Sequence, residues 1–125
     1  YTDQRGQLTF YVSEQLESRP LPIVLFIQGT GCGSPFVQEN GRVLSGLQSV
    51  LHEVIGGAAR IMVVEKPGVL YLDNPAQPAH HRHCRPEFVR QYTLESWSRV
   101  LVRALEIART FAGVDGRRTL VIGHS

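Results

Sequence analysis

Ile23-Val24-Leu25-Phe26-Ile27, Ile61-Met62-Val63-Val64 and Leu120-Val121-Ile122 are short stretches without a polar residue. A strand with one wet face alternates apolar and polar side chains. An uninterrupted apolar run is a strand covered on both faces, the pattern of a largely parallel sheet flanked by helices. Each run is followed at once by a glycine-bearing turn: Gln28-Gly29-Thr30-Gly31-Cys32-Gly33-Ser34, Glu65-Lys66-Pro67-Gly68 and Gly123-His124-Ser125. Ligands of open parallel sheets bind beyond the carboxyl ends of the strands. These three turns are therefore where chemistry is expected.

Between the runs the period changes. Leu8, Phe10 and Val12 alternate, which predicts a half-buried strand after Gly6. From Arg42 onward Val43, Leu44, Leu47, Val50, Leu51 and Val54 fall on one helical face, with a stop at Gly56-Gly57. Residues 69 to 85 carry no period and read as a loop. Pro86 opens a short helix. Thr93 caps a longer one, helped by Glu95 in its first turn. Trp97, Val100, Leu101, Ala104, Leu105, Ala108 and Phe111 form its buried stripe, and Gly113 ends it. Asp115-Gly116 then turns the chain, and Thr119 leads into the last strand. The expected architecture is a three-layer α/β sandwich with a mostly parallel sheet.

The 125 residues suffice for one domain with a real core. A net charge of +2, with no basic stripe interleaved with aromatics, gives no case for nucleic acid. No apolar run approaches the roughly 20 residues of a membrane span. The first residue is Tyr1 and the only methionine is Met62, which reads as a processed or trimmed start.

Several residue clusters invite a chemical reading. His80-His81-Arg82-His83-Cys84 looks like a metal ligand set, but its spacing matches no standard zinc pattern, and a solvated loop is expected with no metal. Gly29, Gly31 and Gly33 fit neither the dinucleotide fingerprint nor the Walker spacing, which disfavours a nucleotide-binding domain. Lys66 reads as an exposed turn residue rather than a catalytic amine. Cys32 and Cys84, the only cysteines, lie at the same end of the sheet; they are either a disulfide or two free thiols. A disulfide would stiffen the glycine-rich loop and suit an exported or periplasmic protein; free thiols would suit the cytoplasm.

A strand followed by Gly-x-Ser is the opening half of a nucleophile elbow, and Gly123-His124-Ser125 supplies it. With the glycine-rich turn at Gln28-Gly29-Thr30-Gly31 and the acidic turn at Glu65-Lys66-Pro67-Gly68, the chain resembles the N-terminal half of an α/β-hydrolase from Leu8 to Ser125. Gln28 stands where that family more often has His.

The resemblance implies a serine hydrolase acting on a small-molecule ester or related acyl bond, without metal or organic cofactor. Ser125 is then the nucleophile, and the backbone N–H groups of Thr30 or Gly31 donate to the oxyanion. His124 fills the variable elbow position and is not the base, and Cys32 sits on the wrong loop for a nucleophile. The triad order Ser, acid, His puts both partners downstream of Ser125. Residues 1–125 are thus expected to be a partial domain, inactive alone, with Leu120–Ile122 as an exposed edge prone to self-association. The competing reading is a non-catalytic binding or interaction module that keeps the fold without the triad.

Overall fold

Along the central strand, Ile23 and Leu25 face one side of the sheet and Val24 and Phe26 the other, and all four are buried. This is the two-sided cover that the apolar run demands. The computed structural model describes residues 2–3, 6–15, 17–78 and 80–124.

The strands are β1 (Thr2–Asp3), β2 (Gly6–Gln7), β3 (Phe10–Val12), β4 (Leu21–Ile27), β5 (Phe36–Glu39), β6 (Arg42–Ser45), β7 (Arg60–Val64) and β8 (Val114–Gly123). The helices are α1 (Leu47–Ile55), α2 (Pro86–Gln91) and α3 (Leu94–Ala108). The main sheet has four strands in the order β3-β7-β4-β8. β4 runs parallel to both β7 and β8, and β3 pairs antiparallel with β7. The architecture is therefore α/β with a mixed, mostly parallel sheet. β1–β2 and β5–β6 are separate antiparallel hairpins.

Each face of the sheet carries a helix. Trp97, Ala104 and Ala108 of α3 pack with Ile23, Leu25, Met62 and Val64. Leu51 and Ile55 of α1 pack with Val24, Phe26, Ile61 and Val63. α3 begins as expected: Thr93 accepts from the Ser96 N–H, and the Ser96 hydroxyl accepts from the Thr93 N–H. Pro86 sits in the first turn of α2, and Gly56 caps α1 in the left-handed conformation.

The helix expected from Arg42 is corrected. Residues 42–45 are β6, paired with β5 around Asn40-Gly41, both at positive φ. That dipeptide is a strong hairpin signal, because a two-residue turn of this twist needs positive φ at both positions. The helix starts only at Leu47, and this sets a different phase. Gln48, Leu51 and Ile55 face the protein, while Leu47, Val50 and Val54 of the expected stripe are exposed, Val54 by 79%. Buried Gln48 donates from Nε2 to the Pro35 carbonyl at 2.5 Å.

The last strand also differs from expectation. It begins at Val114, and Asp115-Gly116 lies within it at a register shift between the Leu21–Val114 and Ile23–Thr119 pairs. α3 stops at Ala108, so Phe111 and Gly113 lie in the turn beyond it. β8 is an edge of the described sheet, with Leu120 and Val121 exposed.

Candidate functional site

The chain leaves β4 toward the α1 face and leaves β7 toward the α3 face. Adjacent parallel strands whose connections diverge in this way open a crevice at their carboxyl ends. Here the crevice between β4 and β7 is filled by contacts between the glycine-rich loop (28–34) and the Glu65-Lys66 turn. On the other side of β4, Ile27 is in register with Gly123, and the His124 N–H donates to the Ile27 carbonyl at 3.0 Å. Gly123 and His124 thus lie beside the start of the glycine-rich loop. Ser125 itself lies outside the described residues.

The loop is tied at three points. At Gly31, φ is +114°, a conformation that favours glycine, and a Cβ there would meet the Pro78 carbonyl oxygen at 3.1 Å. The Gly31 carbonyl accepts from Lys66 Nζ at 2.7 Å. The Cys32 N–H donates to the Pro78 carbonyl at 3.1 Å, and Cys32 is disulfide-bonded to Cys84. The Ser34 N–H donates to the Asp73 carbonyl at 2.7 Å, and its hydroxyl donates to Glu65 Oε1 at 2.7 Å. By contrast, no acceptor among the described residues takes the N–H of Thr30 or Gly31. The two candidate oxyanion donors are therefore open, as are the N–H groups of Gly29 and Gly33, and buried Gln28 Oε1 on the same loop also has no partner among the described residues.

Glu65 and Lys66 are each only 4% exposed. Lys66 as an exposed turn residue is thus corrected. Neighbours in sequence at a strand end point to opposite sides, which sends Glu65 toward Tyr11 and Ser34 and Lys66 toward Gly31 and Tyr92. Burial pushes the Glu65 carboxyl up, against the pull of its bonds from Ser34 and Tyr11. Burial lowers Lys66 to about 8, with the Glu65 charge opposing. Burial, then the Glu65 charge, raises the Tyr11 phenol. The Lys66 ammonium also lies 6.0 Å from the centre of the Tyr92 ring.

The cysteine alternative resolves to a disulfide, and both sulfurs are spent in it. The histidine-rich segment at 80–84 has thereby lost its thiolate. Among the described residues, no three His, Cys, Asp or Glu side chains converge to hold a metal ion. No described helix is long and apolar enough to cross a membrane. A cavity of about 460 Å³ opens beside His124, with Phe26, Gln28, Ser34, Leu44 and Leu47 in its wall.

Thr30, Gly31 and His124 are thus brought to one end of the sheet, as their positions after apolar strands imply. Sequence reasoning misses the Glu65–Ser34 and Lys66–Gly31 ties. Their signal is a charged pair directly after a fully apolar strand, at a level where the neighbouring loop has unmet hydrogen-bonding groups. Comparison with family models, curated proteins and solved structures gives no match for this chain.

Proposed function

We propose that these residues form the nucleophile and oxyanion half of an α/β-hydrolase-type serine hydrolase, acting on an ester or related acyl bond. The observation that supports the reading is the His124–Ile27 hydrogen bond, which holds Gly123-His124 beside a loop whose Thr30 and Gly31 N–H groups are open. The strand order supports it as well. β4 and β8 are adjacent and parallel, so their carboxyl ends, at Ile27 and Gly123, lie at the same end of the sheet.

In this reading the Ser125 hydroxyl oxygen attacks the substrate carbonyl carbon, and its proton passes to a histidine base. The carbonyl π electrons move onto oxygen, where the Thr30 or Gly31 N–H meets the developing charge. Collapse expels the alcohol, which takes the proton, and leaves an acyl-enzyme on Ser125. Water then releases the acid by the same steps. In this fold's chain order the triad acid and histidine follow the nucleophile. The Cys32–Cys84 bond supports an oxidising location, exported or periplasmic.

The test is hydrolysis of p-nitrophenyl acetate by the full-length native protein and by its Ser125→Ala variant, residues 1–125 alone being expected to be inactive. The expected loss on substitution is roughly 10³-fold or more in kcat. Equal turnover by both proteins, or none by the native one, contradicts the proposal and favours the non-catalytic module.

A further inference from the structure

A buried ammonium is costly. Taking one out of water carries a penalty that only good partners offset. Lys66 is 4% exposed, and its one hydrogen-bond acceptor among the described residues is the Gly31 carbonyl. An apolar side chain would fill this space without that penalty, so the core does not explain the lysine.

The geometry of one peptide plane does. The carbonyl of the Gly31–Cys32 peptide accepts from Lys66 Nζ at 2.7 Å, and its N–H donates to the Pro78 carbonyl at 3.1 Å. The plane is held at both ends. Gly31 has no side chain to brace it, and its φ is +114°. With the following peptide fixed, only the φ and ψ torsions of Gly31 relate it to the preceding peptide, which carries the Gly31 N–H. Glu65 anchors the far end of the same loop through Ser34.

We infer that Lys66 is a positioning residue for the oxyanion donors: its ammonium fixes the Gly31–Cys32 peptide, aims the Gly31 N–H and adds positive potential to the loop. This rests on the serine hydrolase reading. A donor displaced by about 1 Å costs up to roughly 100-fold in rate. The charged form is the effective one. Glu65 on its own turn and the Tyr92 ring face Lys66, and Tyr71, Arg85, Glu87 and Arg103 are the other titratable or charged groups lining the cavity it borders.

The experiment measures acylation by p-nitrophenyl acetate from pH 6 to 10, in the native protein, in Lys66→Met and in Ser125→Ala. The Lys66 side-chain nitrogen is titrated in parallel by NMR. The expected result is a rate that falls as pH rises through the measured Lys66 titration. In Lys66→Met this limb is missing, and kcat is lower by roughly 10- to 100-fold with KM little changed. Native-like kcat and an intact high-pH limb in Lys66→Met overturn the inference while leaving the hydrolase reading in place. Activity that is absent, or unaffected by Ser125→Ala, overturns both. Should Lys66→Met not fold, the native protein alone decides: a rate limb that does not coincide with the Lys66 titration overturns the inference.

Discussion

The Ser34 hydroxyl donates to the Glu65 carboxylate across 2.7 Å, between two side chains that are both buried and 31 positions apart. Tyr11 donates to the same oxygen at 3.1 Å. Glu65→Ala strands both hydroxyls and is expected to cost roughly 2–3 kcal/mol in urea unfolding. Glu65→Gln keeps an acceptor and is expected to cost less than about 1 kcal/mol near neutral pH. Burial raises the Glu65 carboxyl, so its stabilising contribution is complete below the ordinary carboxylate range. It is lost as pH rises through the raised folded-state value. That loss is absent in Glu65→Gln.

Lys66 has the opposite sign. Its folded-state value is lowered from 10.5 to about 8, so its contribution is complete above 10.5 and lost as pH falls through about 8. Stability is therefore expected to climb between pH 8 and 10, by at most about 1.4 kcal/mol per pH unit. Tyr11 and Tyr92, both raised from 10.0, act above that window. Urea midpoints across this range check the slope, which Lys66→Met removes.

The disulfide joins residues with a sequence separation of 52. Chain-entropy arguments give about 4 kcal/mol for a loop of that size, and native small domains lose roughly 2–5 kcal/mol without such a bond. The Cys32→Ser/Cys84→Ser double variant is expected to lose stability in that range. Iodoacetamide under denaturing conditions is expected to add nothing before reduction and two adducts after it, as the absence of free cysteines implies.

Two glycines at nearly the same φ separate strain from space. At Gly41 (+77°) an added Cβ would stand in open space, whereas one on Gly68 (+78°) would run into the backbone of Glu87 and Phe88. Gly41→Ala is expected to cost about 1–2 kcal/mol, the left-handed penalty alone. Gly68→Ala must also push α2 away from the Lys66-Pro67-Gly68 turn, and is expected to cost roughly 3 kcal/mol or more. Thermal or urea unfolding of the pair checks the difference.

What can be read from the sequence divides along physical lines. β4 and β7 are legible because two-sided burial leaves only apolar residues, and the α3 start because Thr93 makes its cap locally. The phase of α1 is not, because Val43 and Leu44 fit a helical face, while Asn40-Gly41 before them fixes a hairpin and shifts the helix start. The burial of Lys66 is hidden because its partner is a backbone carbonyl 35 positions away, which leaves no mark on side-chain pattern. The open Thr30 and Gly31 N–H groups are reachable from position alone, since a glycine-rich turn after a buried strand offers backbone N–H groups whatever its side chains.

In the proposed function Ser125 is an activated nucleophile that works with the N–H donors of the glycine-rich loop. The most direct test is a fluorophosphonate reaction on the native protein, with the adduct mapped by tandem mass spectrometry. The expected result is one adduct, on Ser125, that disappears in Ser125→Ala. No adduct, or one on another residue, contradicts it.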